Sequence, residues 1–100
     1  MEYTGDKSVI SNGTVVLDFY ATWCGPCKKL KPQIVALAEE MPQITFVCVD
    51  TDVWTALSEH YIISSLPTLI VLFNGKAINR FEGLPRDFRG WVRDVMLPLP

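Results

Sequence analysis

The chain has 100 residues, 49% hydrophobic and 20% charged, with a net charge of −2. That length fits one domain, residues 1–100, able to bury about two-thirds of the surface its unfolded form exposes. The near-balanced charge and the lack of a basic run argue against nucleic acid as a partner. Apolar stretches such as Leu69 to Phe73 are far too short to span a bilayer, so no membrane is expected either.

Residues 1–13, MEYTGDKSVISNG, are polar and carry no apolar run of signal length. They leave room for a short helix from about Gly5 to Ser11, but hardly for a strand and a helix both. Thr14 to Ala21, TVVLDFYA, follows an Asn-Gly breaker and is β-branched and aromatic, which predicts a buried strand. A helix is expected from near Cys24, with Leu30, Ile34, Leu37 and Met41 on its apolar face. Pro32 removes one backbone bond from it and should bend it. Ile44 to Val49, ITFVCV, predicts a second strand. Thr51 or Asp52 is expected to cap a short helix carrying Trp54, Leu57 and Tyr61. Thr68 to Phe73 is a third strand, and Asn74-Gly75 is a hairpin turn into a fourth, from Lys76 to about Phe81. Gly83 breaks the chain, and Pro85 suits the first turn of a last helix. Phe88, Trp91, Val92, Val95 and Met96 form its apolar stripe, and Pro98 and Pro100 stop it. The order demands parallel crossovers first and an antiparallel edge after, an α/β class with a mixed sheet.

Residues 23–27 read WCGPC and hold two of the three cysteines. Cys24 falls at the predicted helix N-terminus, where unpaired amides and the helix dipole favour thiolate over thiol. A thiolate is the nucleophile in disulfide exchange. Cys27 lies one turn deeper, more covered but within reach, so the pair reads as an attacking and a resolving sulfur. Gly25 and Pro26 stiffen the turn between them. Two other readings stand beside this one. The pair could be ordinary core cysteines. By count, Cys24, Cys27, Cys48 and His60 also make a zinc set, but no second close-spaced ligand pair exists, so no metal is expected. Cys48 reads as a small buried hydrophobe in mid-strand. An odd number of cysteines fits a reducing, cytoplasmic setting better than a secreted disulfide framework.

Asp18, WCGPCK at 23–28, Leu66-Pro67-Thr68, Asn74-Gly75 and Gly83 together resemble the thioredoxin family, over residues 14 to about 96. The resemblance implies a thioredoxin-like fold: a mixed four-stranded sheet, five-stranded if the N-terminal residues supply a strand, flanked by helices. It implies catalysis by Cys24, Cys27 and Asp18, the last a buried carboxylate beneath the pair. Trp23, Leu66, Pro67 and Gly83 would bind substrate, with Pro67 in a cis bond facing the disulfide and the Leu66 backbone pairing with an extended substrate segment. Burial of an aspartate inside VVLDFY should raise its pKa and make it a proton acceptor for Cys27.

The expected activity is that of a protein-disulfide reductase. Cys24 attacks a substrate disulfide, Cys27 resolves the mixed disulfide, and a Cys24–Cys27 disulfide remains. No bound cofactor is expected, since the chain has no nucleotide-binding glycine fingerprint; the resemblance implies re-reduction by an external NADPH-dependent thioredoxin reductase. A thioredoxin-fold oxidase or isomerase and a non-catalytic binding module are the alternatives. Two departures from the family stand out. A lysine common near the buried carboxylate is replaced, at the position assigned to Phe46, by an apolar ring. The usual first strand is also short or missing. ITFVCV would then lie at an exposed sheet edge, leaving a monomer or a weak homodimer paired through that edge.

Overall fold

A near-continuous run of β-branched, aliphatic and aromatic residues suits Thr14–Tyr20, β1, to the middle of the sheet, with Val15 to Phe19 all buried. The computed structural model describes residues 1–99. In chain order β1 is followed by α1 (Gly25–Glu40), β2 (Ile44–Asp50), α2 (Thr55–His60), β3 (Thr68–Phe73), β4 (Lys76–Glu82) and α3 (Phe88–Met96). Among the described residues the sheet order is β2-β1-β3-β4. β1 runs parallel to β2 and antiparallel to β3, and β3 and β4 form the hairpin. Asn74 and Gly75 turn it with φ of 50° and 82°, the left-handed pair that a two-residue hairpin needs.

Side chains alternate across the sheet into two cores. On one face Val16, Phe46, Leu69 and Val71 meet Leu30 and Leu37 of α1 and Phe88 and Val92 of α3. On the other, Val15, Leu17, Phe19 and Ile70 meet Tyr3, Ile10, Trp54 and Leu57. The periodicity of α1 and α3 foretold the first core. α1 continues unbroken through Pro32.

Two expectations about helix ends need correction. α2 begins at Thr55, and neither Thr51 nor Asp52 caps it. The Thr51 hydroxyl donates to the Tyr20 carbonyl at 3.0 Å, and Asp52 accepts from the Trp23 indole at 3.0 Å. Both side chains are thus drawn toward the end of β1. Pro85 does not open α3, which starts at Phe88. Asp87 caps it instead, accepting from the Gly90 amide at 2.9 Å. Removing that acceptor by Asp87→Ala should cost about 1 kcal/mol, read as a lower urea midpoint with an unchanged slope. Pro100, assigned a part in stopping α3, lies outside the described residues.

The N-terminal residues make a single turn of 3-10 helix, Lys7–Ile10, capped by Asp6, in place of a longer helix. Ahead of it Glu2 forms an isolated parallel bridge with Cys48. The Cys48 amide donates to the Met1 carbonyl and the Tyr3 amide to the Cys48 carbonyl, both at 2.8 Å. β2 is therefore an edge strand, as expected, with the middle of that edge occupied by a rudimentary strand.

Candidate active site

The end of β1 delivers the chain to Ala21, and the helix that follows starts at once. Cys24 is the N-cap of α1, with extended backbone (φ −85°, ψ 114°), and its sulfur accepts the Cys27 amide at 3.2 Å. A side-chain acceptor on that amide is what a helix start selects; here the acceptor is sulfur. The same contact, with the helix dipole, stabilises negative charge on Cys24 once the pair is reduced. Pro26 sits in the first turn, where its missing amide leaves nothing unsatisfied.

Cys24 and Cys27 are joined in a disulfide, with Cα atoms 5.3 Å apart. Accessibility hardly separates the two sulfurs, contrary to the clear difference expected: Cys24 is 5% and Cys27 4% accessible. What separates them is the space each faces. Cys24 lies on an open groove of about 790 Å³, lined also by Trp23 and by Ile62 to Leu66. Cys27 lies on a smaller cavity of about 230 Å³, shared with Asp18, Lys31 and Cys48.

Asp18 is 3% accessible, and its Oδ1 has no hydrogen-bond partner among the described residues. Burial pushes its pKa up to about 7; the Cys48 thiol beside it pulls the other way, the Glu2 charge adds to the rise, and Lys31 opposes it. Cys48 in turn is raised to about 11, first by burial and then by the Asp18 charge, so it stays a thiol at neutral pH. The β1–β2 register pairs Asp18 with Cys48, and Val16 with Phe46. The residue opposite the carboxylate is therefore Cys48, not Phe46, whose ring packs on Phe88 at 6.3 Å. A two-residue shift keeps the same sheet face, so alternation could not separate the two candidates; the β1–β2 register does. His60 is exposed, edge-on to Tyr61, and no metal-ligating cluster occurs among the described residues.

The Leu66–Pro67 bond is cis, and Leu66 packs against Cys24 and Cys27. Gly83, at φ 95°, donates its amide to the Pro67 carbonyl at 2.7 Å and ties the start of β3 to the end of β4. A side chain at Gly83 would meet open space, so its backbone angle is what calls for glycine. Trp23 is 70% accessible and held by Asp52.

One element of the groove went unread in the sequence. Ile62 follows α2 at φ 54°. Its amide returns to the Glu59 carbonyl and that of Ile63 to Ser58, both at 3.0 Å, the paired bonds of a Schellman ending. Glycine is usual at that left-handed position, and a β-branched residue there costs about 1–2 kcal/mol.

A strand end passing into a helix whose first turn carries a sulfur pair, one on a groove and one above a buried acid, can give two electrons to another disulfide when reduced, or take two from a dithiol when joined. The fold and site thus define a thiol–disulfide exchange protein. A model of the thioredoxin family matches residues 3–93. Thioredoxin of Chlamydia trachomatis is 48% identical over 75 residues, covering 75% of this chain and 74% of that one. Thioredoxin-1 of Saccharomyces cerevisiae is 38% identical over 78 residues, covering 78% and 76%. The crystal structure of thioredoxin from Trypanosoma brucei brucei superimposes with a TM-score of 0.86 at 28% identity, covering 96% of this chain and 89% of that one. The chain belongs to the thioredoxin family. It is a thiol–disulfide oxidoreductase with protein-disulfide reductase activity, and its redox-active group is the Cys24–Cys27 disulfide. No described helix is long and apolar enough to cross a membrane.

Proposed function

We propose that Cys24 is the nucleophile, Cys27 the resolving thiol and Asp18 the proton acceptor of a disulfide-reducing cycle carried by residues 1–100 as one domain. The observation that supports this most is the division of space: Cys24 on the open groove, Cys27 on the cavity with Asp18, whose Oδ1 has no hydrogen-bond partner among the described residues. Cys24 thiolate attacks one sulfur of a substrate disulfide, and the other sulfur leaves as a thiolate. The Cys27 proton passes to Asp18, whose pKa near 7 matches the task at neutral pH. Cys27 sulfur then attacks Cys24 sulfur and releases the second substrate thiolate. Substrate gains two electrons, and Cys24–Cys27 is left oxidised. Trp23, Gly25, Pro26, Leu66, Pro67 and Gly83 shape the substrate side.

The dithiol has to be restored from outside, and we assign that step to an NADPH-dependent thioredoxin reductase. Work in the cytoplasm, with roles in electron transport and redox homeostasis, follows from the need for that reductant. The protein would act as a monomer, or as a weak homodimer through the part of the β2 edge that Met1–Tyr3 leave open.

Alkylation of the reduced protein tests the roles. With rate measured against pH and sites mapped by mass, Cys24 should react first near neutral pH, and Cys48 last, because burial holds its pKa near 11. Earlier reaction at Cys27 or Cys48 would reverse the assignment.

A further inference from the structure

The groove beside Cys24 has an unusual wall. Ile62 holds a left-handed backbone that favours glycine, yet its side chain is 77% accessible, so nothing within the chain offsets the strain by packing. The conformation is also fastened from outside the loop. Arg80 of β4 donates to the Tyr61 carbonyl at 2.5 Å and the Ile62 carbonyl at 2.7 Å, while its Nε binds Glu82 at 2.9 Å. A planar fork on two consecutive carbonyls fixes the end of α2 in orientation as well as position. The indole of Trp23, 70% accessible, lines the same groove. Glu59 is the one charged residue on the groove among those described.

We infer that Ile62 is a specificity-determining residue, which with Trp23 grips an aliphatic or aromatic side chain beside the target cysteine of a substrate protein. The inference rests on the role of Cys24 proposed above. An occupant of this kind is favoured by continuity with the exchange site, since one groove holds Cys24, Trp23 and Ile62. Trp23, Pro26, Ile62 and Leu66 give the groove apolar surface between serine and threonine hydroxyls, and with Glu59 as its lone charge it favours an uncharged apolar residue and disfavours an acidic one. Arg80 acts through Ile62 as a positioning residue.

The test uses single-turnover reduction by the pre-reduced full chain of three peptide disulfides, identical except for Leu, Ser or Glu beside the target cysteine. The wild type should reduce the Leu peptide about tenfold faster than the Ser peptide, the scale of partly burying one aliphatic side chain, with the Glu peptide slowest. Ile62→Gly and Ile62→Ser should bring the Leu/Ser ratio to within about twofold of one, and Ile62→Gly should melt no lower than the wild type. Val35→Ser, which changes an exposed apolar residue of α1 off the groove, should keep the wild-type ratio. An unchanged ratio in Ile62→Gly, or no ratio in the wild type, overturns the inference. So does a lower melting temperature of Ile62→Gly, which would make Ile62 a residue of the fold. If the wild type reduces none of the three peptides, the exchange role of Cys24 itself fails.

Discussion

Cys27→Ser should accumulate a mixed disulfide with a substrate protein, whereas Cys24→Ser should accumulate none and turn over no faster than free thiol in solution. The expectation follows from where the sulfurs lie. A substrate can approach Cys24 from the groove, and only Cys27, across a Cα separation of 5.3 Å, is placed to release it. Without Cys27 the first bond forms and the second exchange has no attacker. Intact mass after mixing with excess substrate disulfide reads the outcome directly. A trapped adduct on Cys27 in the Cys24→Ser protein would exchange the two roles. Cys48 does not substitute in either variant, because it remains protonated and buried.

Asp18→Asn should make the oxidised protein more stable and slower at once. The sign follows from the raised pKa. Between about pH 4, where an unfolded aspartate titrates, and pH 7, the native state keeps the proton and the unfolded state gives it up. Stability due to Asp18 is therefore complete below about pH 4, declines as pH rises, and is lost above about 7. A shift of this size corresponds to roughly 2–4 kcal/mol at pH 8, allowing for solvent entering the cavity. Asparagine carries no charge at any pH, so the variant should melt on the order of 10–20 °C higher at pH 8 and equal to the wild type at pH 4. Calorimetry at the two pH values checks this, and an equal gain at both would mean packing is the cause. In single-turnover assays the resolving step of the wild type should accelerate as pH rises through about 7. In Asp18→Asn that inflection should vanish and the rate fall about 10²-fold.

Much of the fold was legible because local chemistry and pattern agree. The Asn74-Gly75 turn, the α1 stripe and the strand-to-helix junction at WCGPC each depend on residues close in sequence. What escaped depends on register and on long-range contacts. Thr51 and Asp52 have the chemistry of helix caps but are claimed by Tyr20 and Trp23, more than 25 positions away. Phe46 and Cys48 share one face of β2, and only the ladder shows which of them meets Asp18. Ile62 carries no sign in the sequence of its left-handed backbone, because the Arg80 fork that holds it comes from another strand.

The two rims of the sheet differ in a way that limits assembly. β4 bears Lys76, Arg80 and Glu82, and its pairing with β3 slips between Val71 and Leu72, so its outer rim is charged and uneven. β2 has a mostly apolar sequence and a ladder with β1 free of register shifts, and its outer edge is already partly taken by Met1–Tyr3. Two copies meeting rim to rim through β2 would use the same surface on both, a closed two-fold arrangement with nothing left to bind a third. Growth into a filament needs a second adhesive rim, and the charges and bulge of β4 deny it one.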